Sequence, residues 1–165
     1  PMLPDSPAIM GEVQAQCNIP IATGERFASI FEYQQLLDAR ATSYIRPDVC
    51  LCSGLTGSKK VAAMAEARHI KVIPHNPLSP VSTAACVALC MASTNVGVQE
   101  MPRKPGAVDK ELYPVQVEWE DGYAFATDRP GLGVEIDETR AASQCVVPTD
   151  WPPLLRRNDG AFTNW

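Results

Sequence analysis

Residues 70–77 read Ile-Lys-Val-Ile-Pro-His-Asn-Pro, a short apolar run that leads into a His between two prolines. The segments 19–25, 44–48 and 96–100 have the same form, an apolar run followed by a charged residue. Intervals of 23, 27 and 25 positions separate four residues of this kind, Glu25, Asp48, His75 and Glu100. Barrels of alternating strands and helices carry their active sites at the ends of the strands. The interval therefore predicts successive strand–helix units, each with one functional side chain at a strand end.

Helical apolar patterns fill the intervals between these strand-like runs. The predicted helices span 7–17, 29–39, 58–69 and 81–93, and the predicted strands span 19–23, 44–45, 70–73 and 96–99. Alternation of this kind favours a parallel sheet with right-handed crossovers. Four strands are half of an eight-stranded barrel, which typically needs about 250 residues. We therefore predict an α/β fold, the C-terminal half of a TIM-type barrel, in a chain that begins in mid-fold.

The pattern changes after residue 102, so we predict two regions. Residues 1–102 form the barrel part, and residues 103–165 form an extended C-terminal tail that packs against the barrel and against a capping domain outside this sequence. Alternation around Asp121-Gly122, a turn signal, predicts a hairpin at 115–126. Four large apolar side chains are predicted to pin the end of the tail: Trp151, Leu154, Leu155 and Trp165.

Composition excludes several classes of partner. The chain has 14 basic and 19 acidic residues, a formal net charge of −5, and no long basic run. Nucleic-acid or anionic-membrane binding needs clustered Lys and Arg, so we expect neither partner. Several of the six cysteines lie in apolar patterns, where a reduced Cys acts as a small core residue. Free thiols and a cytoplasmic location are therefore expected.

Each of the four strand-end residues has an ordinary structural explanation when it is considered alone. Glu25 could be a solvated carboxylate at the end of a strand, and Asp48 could cap a turn. Together they indicate a site. Asp48 and His75 on neighbouring strands can form a carboxylate–imidazole dyad that raises the basicity of the imidazole. A partly buried Glu100 near Asp48 is expected to stay protonated and to donate a hydrogen bond to an oxyanion. Glu25 offers a hard oxygen ligand for Mg²⁺, although one carboxylate does not make a magnesium site.

Several of these segments resemble the mandelate racemase/muconate lactonizing enzyme family of the enolase superfamily, and within it the D-galactonate dehydratase group. The resemblance covers nearly the whole chain, but only the second half of the family's barrel and its tail. It depends on the C-terminal run from Trp151 to Trp165 and on five earlier segments. These segments are Ile19–Arg26, Pro47–Val49, Ala62–Ala67, Pro74–Leu78 and Arg129–Glu135.

The resemblance implies a role for each candidate residue. Glu25 would be a metal-binding glutamate, Asp48 and His75 the acid–base dyad, and Glu100 the electrophile. His75 would remove the proton alpha to a sugar-acid carboxylate, and the enediolate would be held by Mg²⁺ and Glu100. Loss of the β-hydroxyl would convert D-galactonate or a related aldonate to a 2-keto-3-deoxy acid. Enolase-superfamily sites pair a Lys or His base with Mg²⁺ to stabilise such an enediolate.

Two alternatives stay open at this point. A racemase or cycloisomerase of the same superfamily would use a Lys base on an earlier strand, and a non-catalytic interaction fragment would use none of these residues. The family's other two metal carboxylates fall on earlier strands, so the isolated chain is expected to be impaired as a lyase. The full-length parent is expected to be a homo-oligomer. At the rim, Arg46 stands where the family commonly has Gln.

Overall fold

The computed structural model describes residues 6–104, 107–144 and 158–160. These residues form five helices and five strands. In chain order they are α1 Pro7–Gln16, β1 Ala22–Thr23, α2 Ile30–Asp38, β2 Tyr44–Ile45, α3 Gly54–Glu66, β3 Lys71–Val72, α4 Pro80–Met91, β4 Glu118–Glu120, β5 Tyr123–Phe125 and α5 Glu138–Ser143.

The first three strands form one parallel sheet in the order β1-β2-β3. Thr23 pairs with Ile45, and Ile45 pairs with Val72. A further parallel bridge joins Val72 to Val96, so a fourth segment continues the sheet beside β3. Successive strands are joined through helices and lie side by side, as the sequence predicts. The fold is α/β, in agreement with the predicted class.

The main core lies between this sheet and helices α1 to α3. Large, fully buried side chains of α2, α3 and the two inner strands fill it: Tyr33, Leu36, Leu37, Ile45, Val61 and Val72. Burial of one such side chain contributes about 1.5–3 kcal/mol. A smaller cluster of Val49, Cys86 and Leu89 fixes α4 near the end of β2. The ends of β2 and β3 are therefore supported by packed apolar side chains.

Local sequence signals begin the helices that flank the site. Ser29 caps α2 and shares a reciprocal capping box with Glu32. Ser79 caps α4 in the same way with Ser82, and Pro80 occupies the first turn. Both caps satisfy backbone N–H groups that lack partners inside the helix. Because α4 begins shortly after His75, its cap also fixes the loop that carries this residue.

Helix α3 differs from the predicted span of 58–69. It begins at Gly54, because Ser53 adopts a left-handed conformation (φ 54°) that turns the chain directly into the helix. It ends at Glu66, because His69 is also left-handed (φ 57°). The N–H of Ile70 then donates to the carbonyl of Ala65 at 3.0 Å. That bond closes a Schellman motif, which stops a helix even without glycine.

The predicted strand at 96–99 is present only as the bridge at Val96, and the prediction of its length was wrong. Val72 donates to the carbonyl of Asn95 and accepts from the N–H of Gly97, both at 2.8 Å. The next donor in a parallel ladder would be residue 74, which is a proline without an N–H. Pro74 therefore ends the pairing, and the chain beyond Gly97 leaves the sheet.

The tail contains more structure than the predicted extended segment. The predicted hairpin is confirmed as β4 and β5, joined by Asp121 and Gly122, which both have positive φ. Two positive φ values are typical of the tight turns that suit hairpin twist. Helix α5 was missed, although Asp137 caps it by accepting from the N–H of Arg140 at 2.8 Å. The four predicted pins from Trp151 to Trp165 lie outside the described residues, and the boundary at residue 102 stays a prediction.

The described cysteines are free thiols, as expected: Cys17, Cys50, Cys52, Cys86 and Cys90. Cys145 lies outside the described residues. Among the residues described, no helix is both long and apolar enough to cross a membrane.

Tyr33 connects the core to the first strand end, which gives a test of this packing. Its buried hydroxyl donates to the carbonyls of Gly24 and Phe27, at 2.7 and 3.2 Å. We expect Tyr33→Phe to lower the free energy of unfolding by about 1–3 kcal/mol, because two buried carbonyls lose their donor. Urea denaturation measures this loss. Tyr123→Phe is the matched control, since Tyr123 is 71% exposed and should change stability by less than about 0.5 kcal/mol. Equal effects of the two variants would contradict the assigned role of Tyr33.

Candidate active site at the carboxyl ends of the strands

The four predicted residues follow the four parallel segments in the structure. Glu25 lies two residues after β1, and Asp48 and His75 lie three residues after β2 and β3. Glu100 lies four residues after the bridged Val96. Because the strands are parallel and in register, all four residues leave the sheet at the same edge. This edge is called the rim below.

Asp48 and His75 are in direct contact. A second backbone bridge pairs the two residues, and the N–H of His75 donates to the carbonyl of Pro47 at 3.0 Å. The Nδ1 atom of His75 lies 2.8 Å from the Oδ2 atom of Asp48. The geometry expected of a carboxylate–imidazole dyad is therefore present, while its catalytic role stays a prediction.

Both carboxylate oxygens of Asp48 have a hydrogen-bond partner. The Asp48 side chain is 5% exposed, and its Oδ1 atom accepts from the N–H of Cys50 at 2.7 Å. An ionised carboxylate only accepts, so a neutral imidazole beside an ionised Asp48 would carry its hydrogen on Nδ1. The Nε2 atom is then the acceptor. Since the His75 side chain is 22% exposed, the ring is accessible from the rim.

Glu100 is held by one donor on each carboxylate oxygen. The Arg46 guanidinium donates to Oε1 at 2.9 Å, and the N–H of Asn76 donates to Oε2 at 2.7 Å. Arg46 is the residue directly after β2, and Asn76 is the residue after His75. Glu100 therefore connects the ends of three neighbouring segments.

These contacts correct the expectation that Glu100 is protonated. Burial opposes ionisation, but the hydrogen bonds from Arg46 and from the Asn76 N–H outweigh it and hold the pKa of Glu100 below its usual range. Glu100 is therefore a carboxylate at neutral pH. A carboxylate cannot donate the hydrogen bond that was expected of this residue.

Asn76 is a buried connector that the sequence analysis missed. Its side chain is fully buried, and its Nδ2 atom donates to the carbonyl of Glu100 and to the Thr83 hydroxyl, both at 3.0 Å. Its Oδ1 atom accepts from Ser82 at 3.1 Å. The amide thereby ties the His75 loop to the first turn of α4 and to Glu100.

Helix α4 also supports His75 from below. The Cys86 thiol donates to the carbonyl of His75, with the sulfur at 3.7 Å. Burial raises the pKa of Cys86 to about 12 and that of Cys90 to about 11. Both thiols are protonated at neutral pH, so they are packing groups and not nucleophiles.

Glu25 lies on a tight turn that Tyr33 holds in place. Gly24 has a φ of 119°, and a Cβ atom at this position would lie 3.0 Å from the Tyr33 ring. Glu25 itself is partly exposed, and its carboxylate is a ligand type that Mg²⁺ prefers. Among residues 6–104, 107–144 and 158–160, however, no group of three or more His, Cys, Asp or Glu side chains could hold a metal ion. The role of Glu25 as a metal ligand stays a prediction.

A cavity between α4 and the tail is separate from the candidate site. A cavity of about 410 Å³ lies between α4 and the tail, where Val87, Met91 and Phe125 contribute to its lining. None of the four rim residues lines it. This cavity therefore does not account for the grouping of the four rim residues.

The fold has the arrangement of an α/β barrel. Parallel strands that alternate with helices and carry polar side chains at their carboxyl ends are typical of α/β barrels. Residues 1–140 match the family described as enolase C-terminal domain-like. The chain belongs to this family.

Two curated relatives share the name D-galactonate dehydratase. A D-galactonate dehydratase of Cronobacter sakazakii is 36% identical over 172 aligned residues, which cover 100% of this chain and 45% of the relative. A D-galactonate dehydratase of Variovorax paradoxus is 33% identical with the same coverage. The chain thus spans about half the length of these relatives.

Solved structures agree with the fold. An enolase from Agrobacterium radiobacter, with bound Na and L-malate, has a TM-score of 0.85 and 27% identity, covering 98% of this chain and 44% of that one. A mandelate racemase/muconate lactonizing enzyme from Sulfitobacter has a TM-score of 0.82 and 30% identity, covering 90% and 37%. These likenesses confirm the family resemblance that the sequence suggests.

The connector role of Asn76 can be tested by deleting its amide. We expect Asn76→Ala to lower the free energy of unfolding by about 2–3 kcal/mol, because buried partners are left unpaired. It should also shift the NMR signals of the His75 ring. Asn95→Ala is the matched control, since Asn95 donates to the carbonyls of Ala62 and Ile70 at the other end of β3.

The two variants should therefore distinguish a loss of stability from a change in the position of the His75 ring. Both variants lose stability in urea denaturation, and only Asn76→Ala moves the His75 signals. Unchanged His75 signals in Asn76→Ala would show that the amide does not position the ring.

Proposed function

We propose that this chain supplies the acid–base part of a Mg²⁺-dependent dehydratase acting on D-galactonate or a related sugar acid. The contact between Asp48 and His75, 2.8 Å at the rim, is the observation that carries this proposal. The names of the two D-galactonate dehydratases, which align with the whole chain, support the substrate class.

His75 is the base in the proposed reaction. Its Nε2 atom takes the proton from the carbon alpha to the substrate carboxylate, and Asp48 stabilises the imidazolium that forms. The electrons of the broken C–H bond move into the carboxylate and give an enediolate. They then form the C2–C3 double bond while the C3–O bond breaks and the hydroxide leaves. The resulting enol becomes a 2-keto-3-deoxy acid.

Magnesium enters the proposal through Glu25. A Mg²⁺ ion bound in part by Glu25 would draw electron density from the substrate carboxylate and acidify the alpha hydrogen. Departure of hydroxide also requires a proton, and no described residue of this chain is assigned to that step. Glu100 is the electrophile that the family resemblance implies, and in the structure its carboxyl group is paired with Arg46.

Location and assembly complete the proposal. The free thiols at the described cysteines support a reducing compartment such as the cytoplasm. We also propose a small-molecule sugar acid as the partner of the rim and a homo-oligomeric parent protein.

A racemase of the same superfamily is the second candidate. The likeness to the Sulfitobacter mandelate racemase/muconate lactonizing enzyme favours it. A racemase also exchanges the alpha hydrogen but releases no water. Turnover in D₂O, followed by both deuterium incorporation and 2-keto acid formation, therefore separates the two reactions.

A hybrid enzyme provides the test of His75. In the hybrid, this chain replaces the aligned C-terminal part of the Cronobacter sakazakii D-galactonate dehydratase. We expect His75→Asn to lower kcat for 2-keto-3-deoxy acid formation by about 10³-fold, because the base is removed. His69→Asn is the matched control: the chain has two histidines, and His69 is exposed in a left-handed conformation that Asn tolerates.

The control variant should keep its activity within about twofold of the unmodified hybrid. Circular dichroism and thermal unfolding establish that both variants are folded. Dehydration that survives His75→Asn in a folded hybrid would overturn the assignment of the base.

A further inference from the structure

The loop between β2 and α3 folds around Asp48. The N–H of Cys50 donates to Oδ1 of Asp48 at 2.7 Å. The N–H groups of Leu51 and Cys52 donate to the carbonyl of Asp48 at 3.1 and 2.7 Å. A side chain that accepts from the N–H two residues later is the usual device by which Asp organises a turn. The turn places Cys50 beside the carboxylate that contacts His75.

The Cys50 side chain contacts the same carboxylate. Partial burial, the negative charge of Asp48 and a hydrogen bond from the thiol to Asp48 together raise the pKa of Cys50. The thiol is therefore protonated at neutral pH and keeps a hydrogen to donate. Cys50 is an exposed residue of the loop. Cys52 differs from it, because Cys52 is 1% exposed and hydrogen-bonds with Ser58 and Tyr33 in the core.

Asp48 is thus shared between Cys50 and His75. Oδ1 accepts from the Cys50 N–H, the carboxylate also accepts from the Cys50 thiol, and Oδ2 lies 2.8 Å from Nδ1 of His75. Each donor to a carboxylate stabilises its negative charge and makes it a weaker acceptor for the others. A thiol is a weak donor, and a hydroxyl is a stronger one. The residue type at position 50 therefore affects the hydrogen bond between Asp48 and His75.

We propose that Cys50 is a positioning residue of the acid–base pair. Its N–H holds Oδ1 of Asp48, and its weakly donating thiol leaves most of the carboxylate charge to the imidazole of His75. Cys50 acts through Asp48 and is assigned no contact with the substrate. The inference rests on the proposed function, since it names a residue that adjusts the base of the same site.

The other groups around the pair stay unchanged when sulfur is replaced by oxygen at position 50. The Cys86 thiol donates to the backbone carbonyl of His75, not to its ring. In the described part of the chain, the further titratable groups that interact electrostatically with Asp48 or His75 come from α2, the loop, α4 and the end of the fourth segment. They include Tyr33, Cys52, Cys86 and Glu100.

The first test uses NMR on the 165-residue chain, without turnover. The signal of the hydrogen on Nδ1 of the neutral His75 ring moves downfield as its hydrogen bond to Asp48 strengthens. Cys50→Ser should move the signal upfield, because the hydroxyl takes a larger share of the carboxylate charge. Cys50→Ala should move it downfield, because no side-chain donor remains at position 50.

Cys17 provides the matched control for these variants. Cys17 caps the C-terminus of α1, before β1 and away from the rim. Cys17→Ser and Cys17→Ala should leave the His75 signal in place. Shifts of the same direction in Cys50→Ser and Cys50→Ala, or equal shifts in the Cys17 variants, would overturn the positioning role.

The second test uses the hybrid enzyme. Cys50→Ser should lower kcat by about three- to tenfold, because a more weakly accepting Asp48 stabilises the imidazolium less. KM should stay within about twofold, since Cys50 is assigned no substrate contact. The low-pH limb of the pH profile of kcat/KM should move to lower pH, because a less basic His75 loses its proton at lower pH. An active hybrid with an unchanged kcat and an unchanged limb in Cys50→Ser would contradict the proposal.

The two tests distinguish this inference from the proposed function. A hybrid that fails to dehydrate D-galactonate, while the chain still shows opposite shifts in Cys50→Ser and Cys50→Ala, would overturn the proposed reaction and leave the role of Cys50 in place. An active hybrid whose chain shows no shift in either variant would overturn the role of Cys50 alone.

Discussion

The register between β2 and β3 is the constraint on which the rim depends. Ile45 pairs with Val72, and three residues further on the same register pairs Asp48 with His75. A slip of one residue would turn each side chain to the opposite face of its strand. The 2.8 Å contact between Asp48 and His75 therefore depends on the alignment of the backbone as much as on the residue types. Buried Ile45 and Val72 stabilise that alignment from the core.

Hydrogen-bonded polar side chains connect the aligned strands to the loops that follow them. Asn76 adds the first turn of α4 and the end of the fourth segment to the same network. Arg46 then balances the charge of Glu100 across β3. Three acidic side chains at one rim would repel one another in the absence of counter-charge, and an ion pair lowers that cost. The rim thus contains an acid–base pair and an ion pair, and the loop that carries His75 and Asn76 connects them.

The sequence predicts the strand–helix alternation and the Asp48–His75 contact because both follow from spacing. It does not predict the ionisation of Glu100, because that state depends on Arg46, which is 54 positions away and is brought close by the fold. It also misplaces the start of α3, since the left-handed Ser53 has no glycine-like signal in the sequence. The short fourth strand was predictable in principle, because Pro74 lacks the N–H that a longer ladder requires.

The tautomer of His75 tests the central claim most directly. Two-bond ¹H–¹⁵N correlation spectra of the chain, recorded where the imidazole is neutral, show which ring nitrogen carries the hydrogen, and His69→Asn leaves His75 as the one histidine to assign. A dyad oriented by Asp48 predicts hydrogen on Nδ1 and a bare Nε2 that faces the substrate. Hydrogen on Nε2 in the wild-type chain would contradict the proposal that Asp48 prepares His75 as a base.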